Sequence, residues 1–299
     1  MTLACRPACR PTCRIVLKPG RDKAIREGHP WLFSGERVEG PADAPLAQVW
    51  DSRGQLLGLG FHSPTSQIRV RLVAGGEIDR PFFARRIAEA LALRQAVVPA
   101  ETTGYRLINA EGDGLPGWTV DRFGDVLVSQ VTAAGLEALR EEAYAALTTA
   151  LPDLGVLQAN RVPARALEDL PEEDETIAGT VPEEALFTEH GLRFTADLTA
   201  GQKTGFYCDQ RESRRLAERL AAGKNVLDLF AHTGAFGAYS LRGGAVRVTH
   251  VESSAKSIER GKHHLEINGF APERADWVKA NVFHDLRERQ ETYGLVICD

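Results

Sequence analysis

The sequence lacks any uninterrupted apolar run that approaches the roughly 20 residues of a membrane-spanning helix. Its first 13 residues, MTLACRPACRPTC, contain no apolar stretch of the kind that a secretory signal carries. Cysteine is scarce as well, because 5 in 299 residues cannot form a disulfide framework. These absences argue against a membrane-spanning or disulfide-stapled protein, and they predict a globular chain in the reducing cytoplasm.

Three of the five cysteines lie close together at the beginning of the chain. Their spacing of four would place Cys5, Cys9 and Cys13 along one face of a helix, where they could bind a metal ion. Arg-Pro follows both Cys5 and Cys9, however, and proline breaks such a helix. We therefore expect no metal site, and we interpret residues 1–13 as a disordered or misassigned leader.

Acidic residues outnumber basic ones by 41 to 36, but this excess is local. Residues 77–189 hold 21 acidic and 9 basic side chains, whereas residues 14–76 hold 9 basic and 6 acidic ones. Residues 190–299 hold 16 basic and 14 acidic side chains. A surface that binds phosphates needs a local positive patch rather than a positive total, so the composition does not exclude an RNA partner.

Residues 14–76 have the pattern of a small β domain. The segments IVLKPG, AQVWDSRGQLLGLGFH and QIRVRLV alternate or run apolar between Gly, Asp-Ser and Ser-Pro turns. A basic turn carries Lys18, Arg21 and Lys23, and an aromatic segment with Trp31 and Phe33 follows it. We predict that the three cations contact an RNA backbone and that Trp31 stacks on a base. The alternative is that both rings belong to the core.

An acidic α+β segment follows over residues 77–189. Apolar residues at helical spacing in PFFARRIAEALALR predict a helix over residues 79–93, and a second helix is predicted over residues 136–147. Between them, YRLINAEGDGLPGWTVDRFGDVLVSQV predicts three strands separated by glycine turns. The charge run EDLPEEDETIAGTVPEEA predicts a loop.

From Val226 onward, strands and helices alternate. The segments NVLDLF, GAFGAYSLRGG, RVTHVES, SIERGKHHLEING, DWVKAN and GLVICD give the βαβ pattern of a doubly wound parallel sheet. Ligands of such α/β sheets bind at the carboxyl ends of the strands. Asp228 ends the first strand, where it can accept from an amine, and Glu252 ends the second 24 positions later, where it can accept from ribose hydroxyls.

The ligand at these strand ends is predicted to be a nucleoside without a pyrophosphate. No G-x-G-x-x-G follows the strand, which argues against a dinucleotide, and Gln202 stands where a Walker A motif requires glycine. The single Thr233-Gly234 turn still lets a ligand approach backbone N–H groups closely. S-adenosylmethionine (SAM) fits these requirements.

The segment GQKTGFYCDQR precedes the first strand of this sheet by one short helix. Gly201 and Gly205 permit a tight loop, Phe206 offers a ring to cover the cofactor, and Asp209 forms a polar pair with Arg211. The alternative is an ordinary connection between a strand and a helix, which would not explain so dense a mixture of side chains.

Together with INAEGDGLPGWTVDRFGD and VLDLFAHTGAFG, this segment resembles the PUA-containing class I RNA methyltransferases of the ribosomal RNA large subunit methyltransferase I type. The resemblance covers nearly all of residues 14–299. It implies a PUA-like RNA-binding domain at 14–76, a connector at 77–189 and a Rossmann-like methyltransferase domain at 190–299. The implied reaction is formation of 5-methylcytosine in large-subunit rRNA.

The resemblance also implies a set of cofactor contacts. Asn281 stands where the family usually has Asp facing the adenine, and its amide oxygen can still accept from the adenine amino group. The other implied contacts are Phe206, Asp209, Asp228, Phe230, Gly234 and Glu252.

Asp299 matches the Asp of the family's Asp-Pro-Pro motif, which implies the catalytic acid near ring nitrogen 3 of cytosine. The family's thiol nucleophile lies in a later motif, so we expect the methyltransferase domain to be truncated and catalytically deficient. Cys298 is expected to be a buried core thiol, because neighbouring strand residues point to opposite faces. His263 and His264 are expected to face solvent.

Two alternatives stay open. One is SAM-dependent methylation of a different RNA atom, and the other is an RNA-binding protein with a deficient methyltransferase domain. A homodimer also stays open.

Overall fold

The computed structural model describes residues 11–73, 77–199 and 204–299. In these ranges no helix has both the length and the apolar character that crossing a membrane requires. The same residues contain no group of three His, Cys, Asp or Glu side chains placed to hold a metal ion. Cys5 and Cys9 lie outside the described residues.

The chain forms two compact units, and neither is continuous in sequence. The first comprises the described residues up to Val97 together with Arg106–Val181. The second comprises Val98–Tyr105 and Pro182–Asp299.

Short strands predominate in the first unit and at its boundary. Its elements are β1 Thr12–Val16, α1 Lys23–Arg26, β2 Trp31–Phe33, β3 Arg37–Glu39, β4 Leu46–Trp50, β5 Leu56–His62, β6 Ile68–Val73, α2 Arg80–Val97, β7 Gly104–Asn109, β8 Trp118–Phe123, β9 Val126–Val131, α3 Ala134–Glu137, α4 Arg140–Ala150, β10 Gly155–Gln158 and β11 Glu175–Ala178. One sheet has the order β2-β6-β5-β4-β1-β3, and the other has the order β11-β10-β9-β8-β7.

Three features of this unit differ from the sequence predictions. Strand β1 begins at Thr12, inside the predicted leader, because Cys13 alternates with Ile15 in the core of the first sheet. The predicted helix over residues 136–147 is divided between α3 and α4 by a turn in which Leu139 stays buried. The charge run predicted as a loop contains β11, which pairs with β10 and so satisfies its backbone groups.

The second unit contains the parallel sheet that the βαβ pattern predicts. Its elements are β12 Glu184–Glu189, β13 Leu192–Asp197, α5 Arg211–Leu220, β14 Asn225–Leu229, α6 Ala235–Arg242, β15 Arg247–Glu252, α7 Ala255–Ile267, β16 Ala275–Lys279, α8 Val282–Glu288 and β17 Leu295–Cys298. The sheet order is β16-β15-β14-β17, and all three pairings are parallel. The carboxyl ends of β14, β15 and β17 therefore meet at one edge.

Two predictions about single side chains in this unit are wrong. Cys298 is exposed rather than buried, because it lies on β17, the edge strand of this sheet. His264 is completely buried rather than solvent-facing, since its position on α7 turns it toward β13 and the sheet, while His263 is exposed.

Candidate functional site

A cavity of about 470 Å³ opens at the carboxyl ends of β14 and β15. Rings, carboxylates and hydroxyls line it, which suits a ligand with both aromatic and polar parts. The lining residues are Phe206, Tyr207, Asp209, Gln210, Arg214, Phe230, Ala231, His232, Thr233, Ala235, Phe236, Glu252, Ser253, Ser254, Ser257 and Asp299.

The loop from Phe230 to Gly234 forms the floor of this cavity and has an unusual backbone. Phe230, His232 and Gly234 all adopt left-handed φ angles, of 55°, 47° and 69°. Only glycine adopts this region without a steric cost, so the conformations of Phe230 and His232 must be held by their surroundings.

Glu252 holds this loop from the neighbouring strand. Its Oε2 accepts from the His232 N–H at 2.9 Å, and its Oε1 accepts from the Ser254 N–H at 2.8 Å. The Ser253 hydroxyl also donates to Oε1, at 3.3 Å. A carboxylate has about four lone-pair sites, so Oε2 can still accept from a hydroxyl group in the cavity, and on Oε1 such a group can replace the Ser253 hydroxyl. Glu252 is therefore oriented by the protein before any ligand arrives.

Asp228 lies beneath the loop and is not one of the cavity-lining residues. It is 1% exposed, and its Oδ2 has no hydrogen-bond partner among the residues that the structure describes. Burial raises the pKa of this carboxyl group to about 8, with the charges of Asp299 and Glu252 adding to the effect, although the Gly237 N–H donates to it and opposes the shift. The predicted contact of Asp228 with a cofactor amine stays a prediction.

His250 faces Asp228 with its Nε2 at 3.9 Å from the carboxyl Oδ2. Burial lowers the pKa of His250 to about 4 and raises that of Asp228, so both shifts favour the uncharged forms over an ion pair. The His250 ring stacks on Trp277, with 4.0 Å between the ring centres. Added Cβ atoms would lie 1.9 Å from the His250 Nε2 at Gly237 and 2.7 Å from the Trp277 ring at Gly234, so both glycines are required for close packing.

Asp228→Asn should make the protein more stable at high pH. A carboxyl group with a raised pKa contributes stability that is fully present below its ordinary value of 3.8 and is lost as the pH rises through 8. The free energy of unfolding of the wild type, relative to the variant, is expected to fall by about 2–4 kcal/mol between about pH 5 and about pH 9. Urea unfolding of both proteins measures this difference.

Glu288→Gln is the control for this prediction, since it makes the same acid-to-amide change at an exposed position. Parallel pH profiles for the wild type and Asp228→Asn would contradict the prediction.

The segment from Thr204 to Gln210 forms the wall of the cavity. Gly205 has a φ of 117°, and an added Cβ would lie 2.9 Å from the Asp197 carbonyl oxygen, so the tight turn needs glycine. Phe206 lines the cavity but packs mainly into the core, 4.9 Å from the Phe187 ring centre. The Tyr207 ring packs edge-on against His232 at 5.1 Å. Gly201, Gln202 and Lys203 lie outside the described residues.

Arg214 anchors this wall through a buried ion pair that the sequence analysis did not identify. Its Nε and Nη2 donate to the two carboxylate oxygens of Glu189, both at 2.7 Å, and Nη2 also donates to the Tyr207 carbonyl oxygen at 2.9 Å. Glu189 and Arg214 are 0% and 2% exposed. Helical periodicity could have placed Arg214 on the inner face of α5, but nothing local in the sequence identifies its partner 25 residues away.

Of three further predicted site residues in this unit, two line the cavity and one does not. Asp209 and Asp299 line the cavity, and the Asp299 Oδ1 accepts from the Gln210 Nε2 at 2.7 Å. Asn281 is exposed and does not line the cavity, because its side-chain oxygen caps α8 by accepting from the Phe283 N–H at 2.9 Å. Its contact with adenine stays a prediction.

The predicted RNA contacts all lie in the first unit. Lys18, Arg21 and Lys23 are exposed. The Lys18 Nζ donates to the Gly35 carbonyl oxygen, and Arg21 is paired with Glu36 at 3.2 Å. Trp31 is the fourth predicted contact.

Trp31 is half-buried, so it is not simply a core residue. Its indole N–H donates to Glu111 at 2.8 Å, which fixes the ring. The neighbouring Phe33 is 47% exposed, contrary to the core alternative.

Comparison with known families agrees with this arrangement. A model of the S-adenosylmethionine-dependent methyltransferase family matches residues 127–299, and a model of the PUA-like domain matches residues 15–74. The chain is 39% identical to the ribosomal RNA large subunit methyltransferase I of Photobacterium profundum over 297 residues, which is 95% of this chain and 75% of that protein. The enzyme of the same name from Aliivibrio fischeri is also 39% identical, with the same coverage.

Solved structures show the same fold. A protein from Streptococcus mutans described as a SAM-dependent methyltransferase superposes with a TM-score of 0.80 at 24% identity, over 95% of this chain and 76% of that one. A second methyltransferase structure, in complex with SAH, superposes with a TM-score of 0.82 at 24% identity, over 96% of this chain and 75% of that one.

Proposed function

Because this chain belongs to the SAM-dependent methyltransferases of the ribosomal RNA large subunit methyltransferase I family, we propose that it methylates carbon 5 of a cytosine in large-subunit rRNA. SAM supplies an electrophilic methyl group when bound. The proposal depends mainly on Glu252, which backbone N–H groups of the loop and of Ser254 hold in one orientation. Glu252 lines the same cavity as Asp299, at the carboxyl edge of the sheet.

The residues around the cavity suit the parts of SAM. Glu252 offers two oriented carboxylate oxygens to the vicinal hydroxyls of a ribose. Asp228 is buried at the end of β14, next to this cavity, and a cationic amine that reached it would ionise and stabilise its carboxyl group. Phe230 is 40% exposed and lines the cavity, so its ring can cover a flat heterocycle.

Asp299 is proposed as the acid that acts on the base. Carbon 5 of cytosine is a weak nucleophile until a thiolate adds to carbon 6, and a proton near ring nitrogen 3 stabilises the electrons that this addition delivers. The Gln210 amide holds one oxygen of Asp299 in place, which leaves the other for this contact. Cys208 and Cys298 do not line the cavity, so we do not propose either as the nucleophile.

The first unit is proposed to hold the RNA. Lys18, Arg21 and Lys23 would contact phosphates, and Trp31, whose N–H is already bonded to Glu111, would offer its ring face to a base.

Whatever rate of methyl transfer the wild type reaches without an assigned thiol, Asp299→Asn should lower it further, without weakening SAM binding. Loss of a general acid lowers the rate by about 10²–10⁴-fold. Incubation of the protein with labelled SAM and unmodified large-subunit rRNA, followed by nucleoside analysis, locates the methyl group, and calorimetry with SAH measures cofactor affinity. Glu291→Gln, which changes an exposed acidic residue shortly before β17, is the control.

Labelled 5-methylcytidine supports the proposal. A methyl group on any other atom contradicts it. Binding of both SAH and rRNA without methyl transfer by the wild type would instead favour an RNA-binding protein that has no catalytic activity.

A further inference from the structure

His264 is a buried histidine, and both of its ring nitrogens form hydrogen bonds, with partners on different segments of the chain. It lies on α7 with 0% exposure. Its Nε2 lies 3.0 Å from both the backbone nitrogen and the hydroxyl oxygen of Thr195 on β13. Its Nδ1 lies 3.0 Å from the Thr233 carbonyl oxygen.

These partners determine which nitrogen carries the proton. The Thr195 backbone N–H can only donate, so Nε2 must accept, and the Thr233 carbonyl can only accept, so Nδ1 must donate. The ring is therefore the neutral tautomer with its proton on Nδ1. Burial lowers the pKa of His264 to about 4, which keeps the ring neutral.

The peptide between Thr233 and Gly234 is held at both of its polar groups. The Thr233 carbonyl accepts from the His264 Nδ1–H, and the Gly234 N–H donates to the Ala231 carbonyl oxygen at 2.8 Å. This peptide begins one residue after the left-handed His232, within the loop that lines the cavity.

We propose that His264 is a positioning residue for cofactor binding, because its Nδ1–H fixes the Thr233–Gly234 peptide and so holds the loop in its binding conformation. The bond from Thr195 to Nε2 selects the tautomer and stabilises the fold. This inference rests on the proposed SAM site and is independent of the methylated base.

A purely structural role for His264 makes a different prediction. If the histidine only filled the core, any change that left one buried polar group unpaired would have a similar effect on every property. If it positions the loop, loss of the Nδ1 bond must weaken cofactor binding more than loss of the Nε2 bond.

The substitutions His264→Asn and His264→Gln separate the two bonds. The asparagine amide lies where Nδ1 does and can donate to Thr233, whereas the glutamine amide reaches the position of Nε2 and can accept from Thr195. Each variant leaves one buried backbone group unpaired, so both should lower the unfolding midpoint. Only His264→Gln should weaken SAH binding, by about 5- to 30-fold, while His264→Asn should stay within about threefold of the wild type.

Calorimetry with SAH, thermal unfolding and ¹⁵N NMR of the histidine rings test the proposal. His263→Asn and His263→Gln, at the exposed neighbouring position, are the matched controls. Equal losses of affinity in the two His264 variants, no loss in either, or a proton on Nε2 in the wild-type spectrum would each overturn the proposal. Failure of the wild type to bind SAH would instead refute the proposed cofactor site, and the positioning role with it.

Discussion

Glu252→Gln is expected to weaken binding of SAM and SAH by about 100-fold or more. In the wild type, each carboxylate oxygen of Glu252 accepts from one backbone N–H. Glutamine has only one acceptor oxygen, because an NH₂ group replaces the other. That NH₂ group must then face either a backbone N–H, which needs an acceptor, or a ribose hydroxyl, which would lose its acceptor. Each hydrogen bond to a charged group contributes about 1.5–3 kcal/mol, and two are affected. Isothermal titration calorimetry with SAH measures the loss.

The matched control is Glu259→Gln, which makes the same change at an exposed position on α7. Its affinity for SAH should equal that of the wild type. A Glu252→Gln protein that is folded and binds SAH with wild-type affinity would show that Glu252 does not contact the ribose.

Glu189→Gln is expected to lower the free energy of unfolding by about 3–5 kcal/mol, because it leaves the charge of Arg214 buried without a carboxylate. Affinity for SAH should fall in parallel, since the guanidinium that holds the Tyr207 carbonyl loses its own anchor. Urea unfolding and calorimetry check the two effects.

A partly exposed pair in the same unit provides the comparison. Arg242 donates to both carboxylate oxygens of Glu218, at 2.7 and 2.8 Å, but both side chains are more than 20% exposed. Glu218→Gln should therefore cost about 1 kcal/mol or less. Similar losses for the two variants would mean that burial does not determine the strength of the Glu189–Arg214 pair.

A double replacement distinguishes the two consequences of removing this ion pair. Glu189→Leu with Arg214→Met removes both charges together, which typically costs far less stability than leaving one of them buried alone. The Tyr207 carbonyl still loses its donor in this protein. We expect near-normal stability with weakened SAH binding.

Periodicity and strand-end residues predicted much of the second unit. The apolar runs around Asp228 and Glu252 alternate with helices, and local patterns of this kind follow from backbone hydrogen bonding and burial alone. The sequence therefore placed Glu252 correctly at a strand end. The depth of Asp228 beneath the loop could not be predicted, because it depends on how Gly237 lets α6 approach His250.

Side chains that act through distant partners were not predictable. His264 and its neighbour His263 look alike in sequence, and only the packing of α7 against β13 buries one of them. Arg214 likewise has no local signal for its pairing with Glu189. The left-handed backbone at Phe230 and His232 was missed because the usual signal for it is glycine, which is absent at both positions.

The left-handed Phe230 and His232 also make this turn sensitive to change in two opposing ways. A glycine at either position would relieve backbone crowding, yet it would delete a ring that encloses the cavity and give the unfolded chain more freedom. A β-branched residue would keep bulk but cannot adopt the required dihedral angles at low cost. Few amino acids satisfy both demands, so random mutagenesis of this five-residue turn should recover a much narrower range of functional replacements than the adjoining helix tolerates.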